Sequence, residues 1–287
     1  MNFDSSSSKL TRLLNQSKPG VPILTRDLRE AGISARLASH YVKNGWLNRI
    51  GYGAYCLPNE RVTLDGALLV LQKDVPGLHL ASFSALNRWG VRHNLTFNEK
   101  AVVWGEPTVG LPKWVHESFN VRYSSAKLFA FKDSRLDFDT RPVFSLDNQG
   151  VFCSVIERGV LELLSESGTF YSPELTRNIV ESVRRLRPEV LGPLLLSCTS
   201  LKVKRLFALL ATEFNLIDVS RLYSEYDITT GEAKQWQVTV GKNKTTTIRK
   251  VKLVHEAKLP QSSRVARRDH PVLLRLGSAG LKRGNRA

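Results

Sequence analysis

Arg36, Ser39, His40 and Lys43 fall at i, i+3, i+4 and i+7, a spacing that puts them on one stripe of a helix. All four side chains carry hydrogen-bond donors and none is acidic. A helix that reads base edges and phosphates in the major groove of DNA needs that composition. An ordinary solvated helix face is the competing reading of the same four residues. The flanking sequence favours the first. Ser34 can cap the start of the segment, and Asn44 with Gly45 can end it. Immediately beyond, Trp46 to Ile50 and Ala54 to Leu57 are two short apolar-alternating runs about Gly51-Tyr52-Gly53, which predicts a β-hairpin. A hairpin directly after such a helix is a wing, with Arg49 and Tyr52 near its tip. Ser34, Arg36, Ser39, His40, Lys43, Asn44, Arg49 and Tyr52 are therefore the candidate DNA contacts. Trp46 and Ile50 are expected to pack under the helices.

The elements that would carry these residues can be read on either side. Leu10, Leu13 and Leu14 mark a short helix that ends before Lys18-Pro19-Gly20. Thr25 is the expected N-cap of the next, in which Leu24 and Leu28 share a face, and Gly32 closes it in the left-handed conformation. With the segment from Ser34 to Asn44, whose Leu37, Ala38, Tyr41 and Val42 form the packing face, this is a helix-turn-helix pattern. Thr63 caps a further helix through Leu71, and Ala81 to Trp89 forms another, ended by Gly90. Residues 101–104 and 119–123 read as strands, and Val151 to Phe214 as a helical stretch. Lys234 to Leu259 reads as a β-hairpin turning at Gly241 to Lys244. The predicted fold class is α+β: a winged helix-turn-helix over residues 1–95, a mixed α/β domain over 96–259, and a basic, partly disordered tail over 260–287.

Other chemistries find little support. Gly51-Tyr52-Gly53 lacks the third glycine of a dinucleotide fingerprint, because Cys56 stands there; Gly241-Lys242-Asn243 lacks both the upstream glycine and the following hydroxyl of a P-loop. The six histidines and three cysteines are scattered without metal-ligand spacing. No metal, no cofactor and no catalytic residue are expected. Asp133, Asp137 and Asp139 are the densest acidic group. They could hold a divalent ion in a nucleic-acid-processing enzyme, although a strand with a wet acidic face explains them better.

The chain has 287 residues and a net charge of +16, which favours a polyanionic partner. Residues 1–100 carry +6, residues 101–233 carry −2 and residues 234–287 carry +12. The two basic ends predict two polyanion-facing surfaces, or one working surface and a basic tail. Lys242, Lys244, Arg249, Lys250, Arg264, Arg267 and Arg268 are the candidate accessory nucleic-acid contacts. No apolar run approaches the ~20 residues of a membrane span. The three cysteines form no disulfide framework, so a cytoplasmic protein is expected.

Tyr41-Val42-Lys43-Asn44-Gly45-Trp46-Leu47, the wing Ile50-Gly51-Tyr52-Gly53-Ala54-Tyr55 and the helix start Asp65-Gly66-Ala67-Leu68 resemble the N-terminal winged helix-turn-helix of the AbiEi antitoxin family. The resemblance extends more weakly to about residue 255. It implies the antitoxin of a type IV toxin–antitoxin pair, encoded beside an AbiEii-like nucleotidyltransferase toxin. Such an antitoxin represses its own operon by binding promoter repeats in double-stranded DNA through the winged domain. It counters the toxin's effect without a stable complex, and the C-terminal domain is needed for that. The Arg-rich end past Pro260 has no match in the family. Two other readings remain open: a stand-alone transcription regulator with a ligand-sensing or dimerising second domain, and the nucleic-acid-processing enzyme.

Overall fold

The computed structural model describes residues 3–91, 100–105, 110–124, 128–130, 140–144, 150–231, 235–240 and 244–249. Its first part runs α1 (Phe3–Gln16), β1 (Ile23–Leu24), α2 (Thr25–Glu30), α3 (Ala35–Lys43), β2 (Asn48–Gly51) and β3 (Ala54–Cys56). Gly32, at φ 75°, makes the turn between α2 and α3, where a side chain would be strained. The three strands form one antiparallel sheet in the order β1-β3-β2. Helix, turn, helix and two-stranded hairpin, with β1 added as a third strand, is the element order of a winged helix-turn-helix. A small core of Leu13, Ile23, Leu28, Ile33, Ala38, Tyr41 and Leu47 holds it together.

Three expectations change here. Thr25 is the first helical residue, not the cap. The Asp27 carboxylate caps α2 instead, accepting the Leu24 N–H at 2.7 Å, while the Thr25 N–H and hydroxyl both donate to the Gly53 carbonyl. Leu24 consequently belongs to a strand and not to the face of α2. Trp46 does not pack under the helices: after the turn at Gly45 the chain sends Leu47 into the core and leaves Trp46 45% exposed. Ile50 is partly buried, but in the next core along the chain.

α4 (Leu64–Leu71), capped by the Thr63 hydroxyl, leads to β4 (His79–Leu80) and α5 (Ser82–Arg88). Then follow β5 (Ala101–Trp104), α6 (Lys113–Ser118), β6 (Val121–Ser124), β7 (Thr140–Phe144) and β8 (Gly150–Ser154). These strands make a mixed sheet in the order β6-β5-β4-β8-β7. β7, at the edge, tolerates Pro142, which has no N–H to donate. The sheet takes β4 from before residue 95 and its other strands from after it.

Both faces of the sheet are covered, so its strands bury alternate residues in opposite directions. Val103 of β5 faces a core with α4, α6, Ile50 and Ala54; Val102 and Trp104 face a core built with the helices that follow. Those are α7 (Ile156–Glu166), α8 (Pro173–Glu181), α9 (Pro188–Ser197), α10 (Leu201–Glu213) and α11 (Val219–Glu225). The expected helical stretch thus begins with a strand, because residues 151–154 extend the sheet before α7 starts. Sequence periodicity also missed α6 and α11, both short, with six and seven residues. The late hairpin is present as β9 (Gln235–Val240) paired antiparallel with β10 (Lys244–Arg249).

Candidate nucleic-acid interface

α3 begins at a working N-cap: the Ser34 hydroxyl accepts the Leu37 N–H at 3.2 Å. Its inner face is Ala38 and Tyr41, both buried, and this rotation leaves Ser34, Arg36, Ser39, His40, Lys43 and Asn44 on the outer side. The structure therefore brings six of the expected contacts onto the solvent side of one nine-residue helix and its two caps. No carboxylate among the described residues lies in ion-pair range of Arg36 or Lys43. Their charge is available to a partner.

Local bonds pre-set some of these groups. Asn44 donates its side-chain amide to the His40 carbonyl at 2.9 Å and lies 3.0 to 3.1 Å from the His40 ring nitrogens. Ser39 donates to the Ala35 carbonyl at 3.0 Å and keeps its lone pairs free. The Trp46 indole stands edge-on to the His40 ring, with centroids 6.3 Å apart, and tilts against Tyr41 at 5.4 Å. Trp46 is thus an exposed aromatic beside the stripe, where its apolar character predicts a place in the core. The glycine before it was the available signal, since a left-handed Gly45 reverses the chain just where the face is decided.

The β2–β3 hairpin follows directly. Tyr52 at its tip is 92% exposed, and Arg49 is exposed with its Nε donating to the Gly51 carbonyl at 3.3 Å. Of the accessory cations, Lys244 and Arg249 begin and end β10. Lys242, Lys250, Arg264, Arg267 and Arg268 lie outside the described residues, as do Asp133, Asp137 and Asp139.

Comparison with protein families gives two matches that together run from residue 6 to 251. Residues 6–97 match the N-terminal domain of the AbiEi antitoxin transcriptional regulators, and residues 98–251 match the AbiEi antitoxin transcriptional regulator of type IV toxin–antitoxin systems. The chain belongs to the AbiEi antitoxin family. The two matches meet between β4–α5 and β5, so the sheet spans both. Among solved structures, the RV2827C protein from Mycobacterium tuberculosis is similar over 82% of this chain and 88% of that one, at 17% identity and a TM-score of 0.49. A search of curated proteins finds no match.

This AbiEi-family chain also has a second concentration of polar side chains, which sequence reasoning missed. Glu162 of α7, fully buried, accepts from the Arg158 Nε at 2.8 Å, the Ser154 hydroxyl at 2.9 and 3.0 Å and the Ser82 N–H at 2.9 Å, and meets the His79 Nε2 at 3.2 Å. One turn on, Glu166 accepts from the Ser82 hydroxyl at 2.8 Å and pairs with Arg122 at 2.8 Å. Glu157, one turn before, is held by Arg187 through three bonds of 2.9 Å.

Burial alone would raise the Glu162 pKa, but the Arg158 charge and the His79 and Ser82 donors outweigh it and hold the carboxyl below its ordinary range. Glu157 is lowered likewise: burial opposes, and its bonds to Arg187 prevail. Ser82 sits at φ 53°, a conformation that costs a non-glycine residue of order 1 kcal/mol. Its two bonds to Glu162 and Glu166 offset that cost. The acids at 157, 162 and 166 could have been noticed as carboxylates four or five apart among Val160, Leu161, Leu163 and Leu164. Their partners on β4, α5, β6 and β8 could not, because only the sheet brings them together. These carboxylates are already taken by arginine, serine and histidine, so the cluster is a structural tie between sheet and helices. Among the described residues no group of three or more His, Cys, Asp or Glu is arranged to hold a metal ion. None of their helices is long and apolar enough to cross a membrane.

Proposed function

We propose that the chain represses its own operon by binding double-stranded DNA upstream of its gene, and that it counters a nucleotidyltransferase toxin encoded beside it. The observation that carries the DNA reading is the stripe on α3. Arg36, Ser39, His40 and Lys43 face solvent, no acid among the described residues pairs with Arg36 or Lys43, and α2 with its Gly32 turn precedes the helix while the β2–β3 hairpin follows it. In this reading α3 enters the major groove, with Arg36 and Lys43 reaching bases or phosphates and Ser34, Ser39 and His40 beside them. Asn44, Arg49 and Tyr52 contact the backbone. Trp46 joins the list, since an exposed indole next to the stripe offers apolar surface to sugars or thymine methyl groups. The antitoxin role rests on family membership and is assigned to the region after residue 95.

The test is binding of the purified protein to a labelled fragment from directly upstream of its gene, against a scrambled fragment, at ~150 mM salt, where non-specific binding is weak. Preferential binding that is lost in an Arg36→Ala/Lys43→Ala double variant supports the reading. Equal binding to both fragments, unchanged in that variant, overturns it. Each single substitution is expected to cost about 1 to 3 kcal/mol if it removes a base contact. For the toxin, co-expression with the neighbouring nucleotidyltransferase should restore growth, and a chain that gives no rescue would remove that half of the proposal.

A further inference from the structure

The wing is held from both sides, and one of its supports comes from far along the chain. Tyr55 and Leu57 pack on the helix-turn-helix core, whereas Ile50 and Ala54 pack in the core of the sheet, together with Leu111, Trp114, Val115 and Val121. At the turn end of the wing, just before Tyr52, Gly51 lies so close to Trp114 of α6 that a Cβ added there would overlap the Trp114 Cβ and stand 3.2 Å from its Cγ. Gly51 has an ordinary φ, so its lack of a side chain serves this approach and not a backbone need. Trp114 is 3% exposed and Ala54 fully buried. The pairing of β2 with β3 also shifts register between Arg49 and Gly51, a bulge that re-aims the strand at the same point.

We propose that Trp114 is the positioning residue of the wing: by wedging against Gly51 it sets where Arg49 and Tyr52 stand relative to α3. β2 lies at the edge of the small β1-β3-β2 sheet and pairs there only with β3, and its end at Ile50 and Gly51 takes its packing from α6 and the larger sheet. α3 sits on the separate core of Ala38, Tyr41 and Leu47. Loss of Trp114 therefore releases the wing and leaves the recognition helix seated. This rests on the operator reading above and adds to it that the part of the chain after residue 95 takes part in DNA recognition through α6.

The experiment is a pair of double-mutant cycles on the full chain with the upstream fragment. Trp114→Ala should weaken binding about tenfold. Arg49→Ala should cost a similar factor in the wild type and nothing further in Trp114→Ala, since the wing has already left the DNA. Arg36→Ala should keep its full cost in both backgrounds, and Trp114→Phe should recover most of the loss. Equal costs of Arg49→Ala with and without Trp114 would overturn the proposal. If Trp114→Ala does not fold, Gly51→Ala takes its place in the same cycle, because it moves the wing from the other side. Amide hydrogen exchange gives a reading independent of DNA: the amides of the β2–β3 pairing, Asn48–Gly51 with Ala54–Cys56, should exchange at least about tenfold faster in Trp114→Ala, with α3 unchanged. A wild type that ignores its upstream fragment would sink the operator reading alone, and exchange would still decide the wedge. Unchanged wing exchange would sink the wedge.

Discussion

The surface formed by α3 with the wing, and the cluster around Glu162, both concentrate charge, and they treat it in opposite ways. On α3, Arg36 and Lys43 stand in water with no described carboxylate in range, and the bonds made by Ser39 and Asn44 are local to the helix. Around Glu162, serine, arginine and histidine side chains and a backbone N–H converge on one buried carboxylate. Exposed cations are hydrated and cost the fold little, so they can be spared for a partner. Buried charges must find their counter-charges inside the protein. Substitutions in the first region should change binding and leave stability alone, and those in the second should do the reverse.

The largest effect tests the buried half. Glu162→Gln keeps the volume but turns the buried Arg158 guanidinium and His79 toward a neutral amide, one end of which is itself a donor. Breaking a buried pair in this way costs about 3 to 5 kcal/mol, which should lower the melting temperature by on the order of 10 °C. A fall of less than about 2 °C would mean that the cluster is not the tie between sheet and helices described above.

Acid probes the same cluster without substitution. Glu157 and Glu162 have folded-state pKa values below the ordinary carboxylate value of about 4.3. The unfolded chain therefore takes up protons first as pH falls. Their contribution to stability is complete above the ordinary value and is lost as pH drops through it toward the lowered folded values. Melting temperatures should be level with respect to these groups near neutrality and decline below about pH 4.5, less steeply in Glu162→Gln. An equally steep decline in the variant would assign acid sensitivity to other carboxylates.

Next in size is Gly66 of α4, which lies in the seam beside the winged core. A Cβ there would overlap the Gly20 carbonyl, and that carbonyl also accepts the Thr63 N–H at 2.9 Å. Gly66→Ala should cost about 1 to 3 kcal/mol by overpacking, read by denaturant unfolding. Operator affinity measured where the variant is still folded should be unchanged. A variant as stable as wild type would show that the Gly20 turn yields without cost.

What the sequence made legible follows the same division. Ser34, Gly32, Gly45 and Thr63 sit where cap and turn chemistry places them, because a cap acts within three residues of itself. The solvent-facing stripe of α3 and the β2–β3 hairpin were readable for the same reason. Trp46 was misplaced, since one left-handed residue decides which of two neighbours enters the core, and hydrophobicity does not. β1 was absorbed into a helix because a two-residue strand has no period to recognise. The Glu162 cluster was out of reach altogether: Ser82 and Glu162 are 80 positions apart, and only the sheet order makes them neighbours.

The smallest effect lies where the two regions' rules meet, at Ser34, which is both the cap of α3 and a candidate contact. Its hydroxyl already accepts the Leu37 N–H, so Ser34→Ala should cost about 1 kcal/mol of stability with little change in operator affinity. Ser34→Asp keeps a good cap and adds a favourable charge at the helix N-terminus, so the melting temperature should hold within about 1 °C. The same charge would face the phosphates if the start of α3 enters the groove. Operator affinity should then fall about fivefold or more, with a salt slope shallower by about one. The two variants would thus exchange order between the stability and binding assays. A Ser34→Asp variant that binds as tightly as wild type would place the N-terminus of α3 away from the DNA and leave Arg36 and Lys43 to act from the helix's middle and far end.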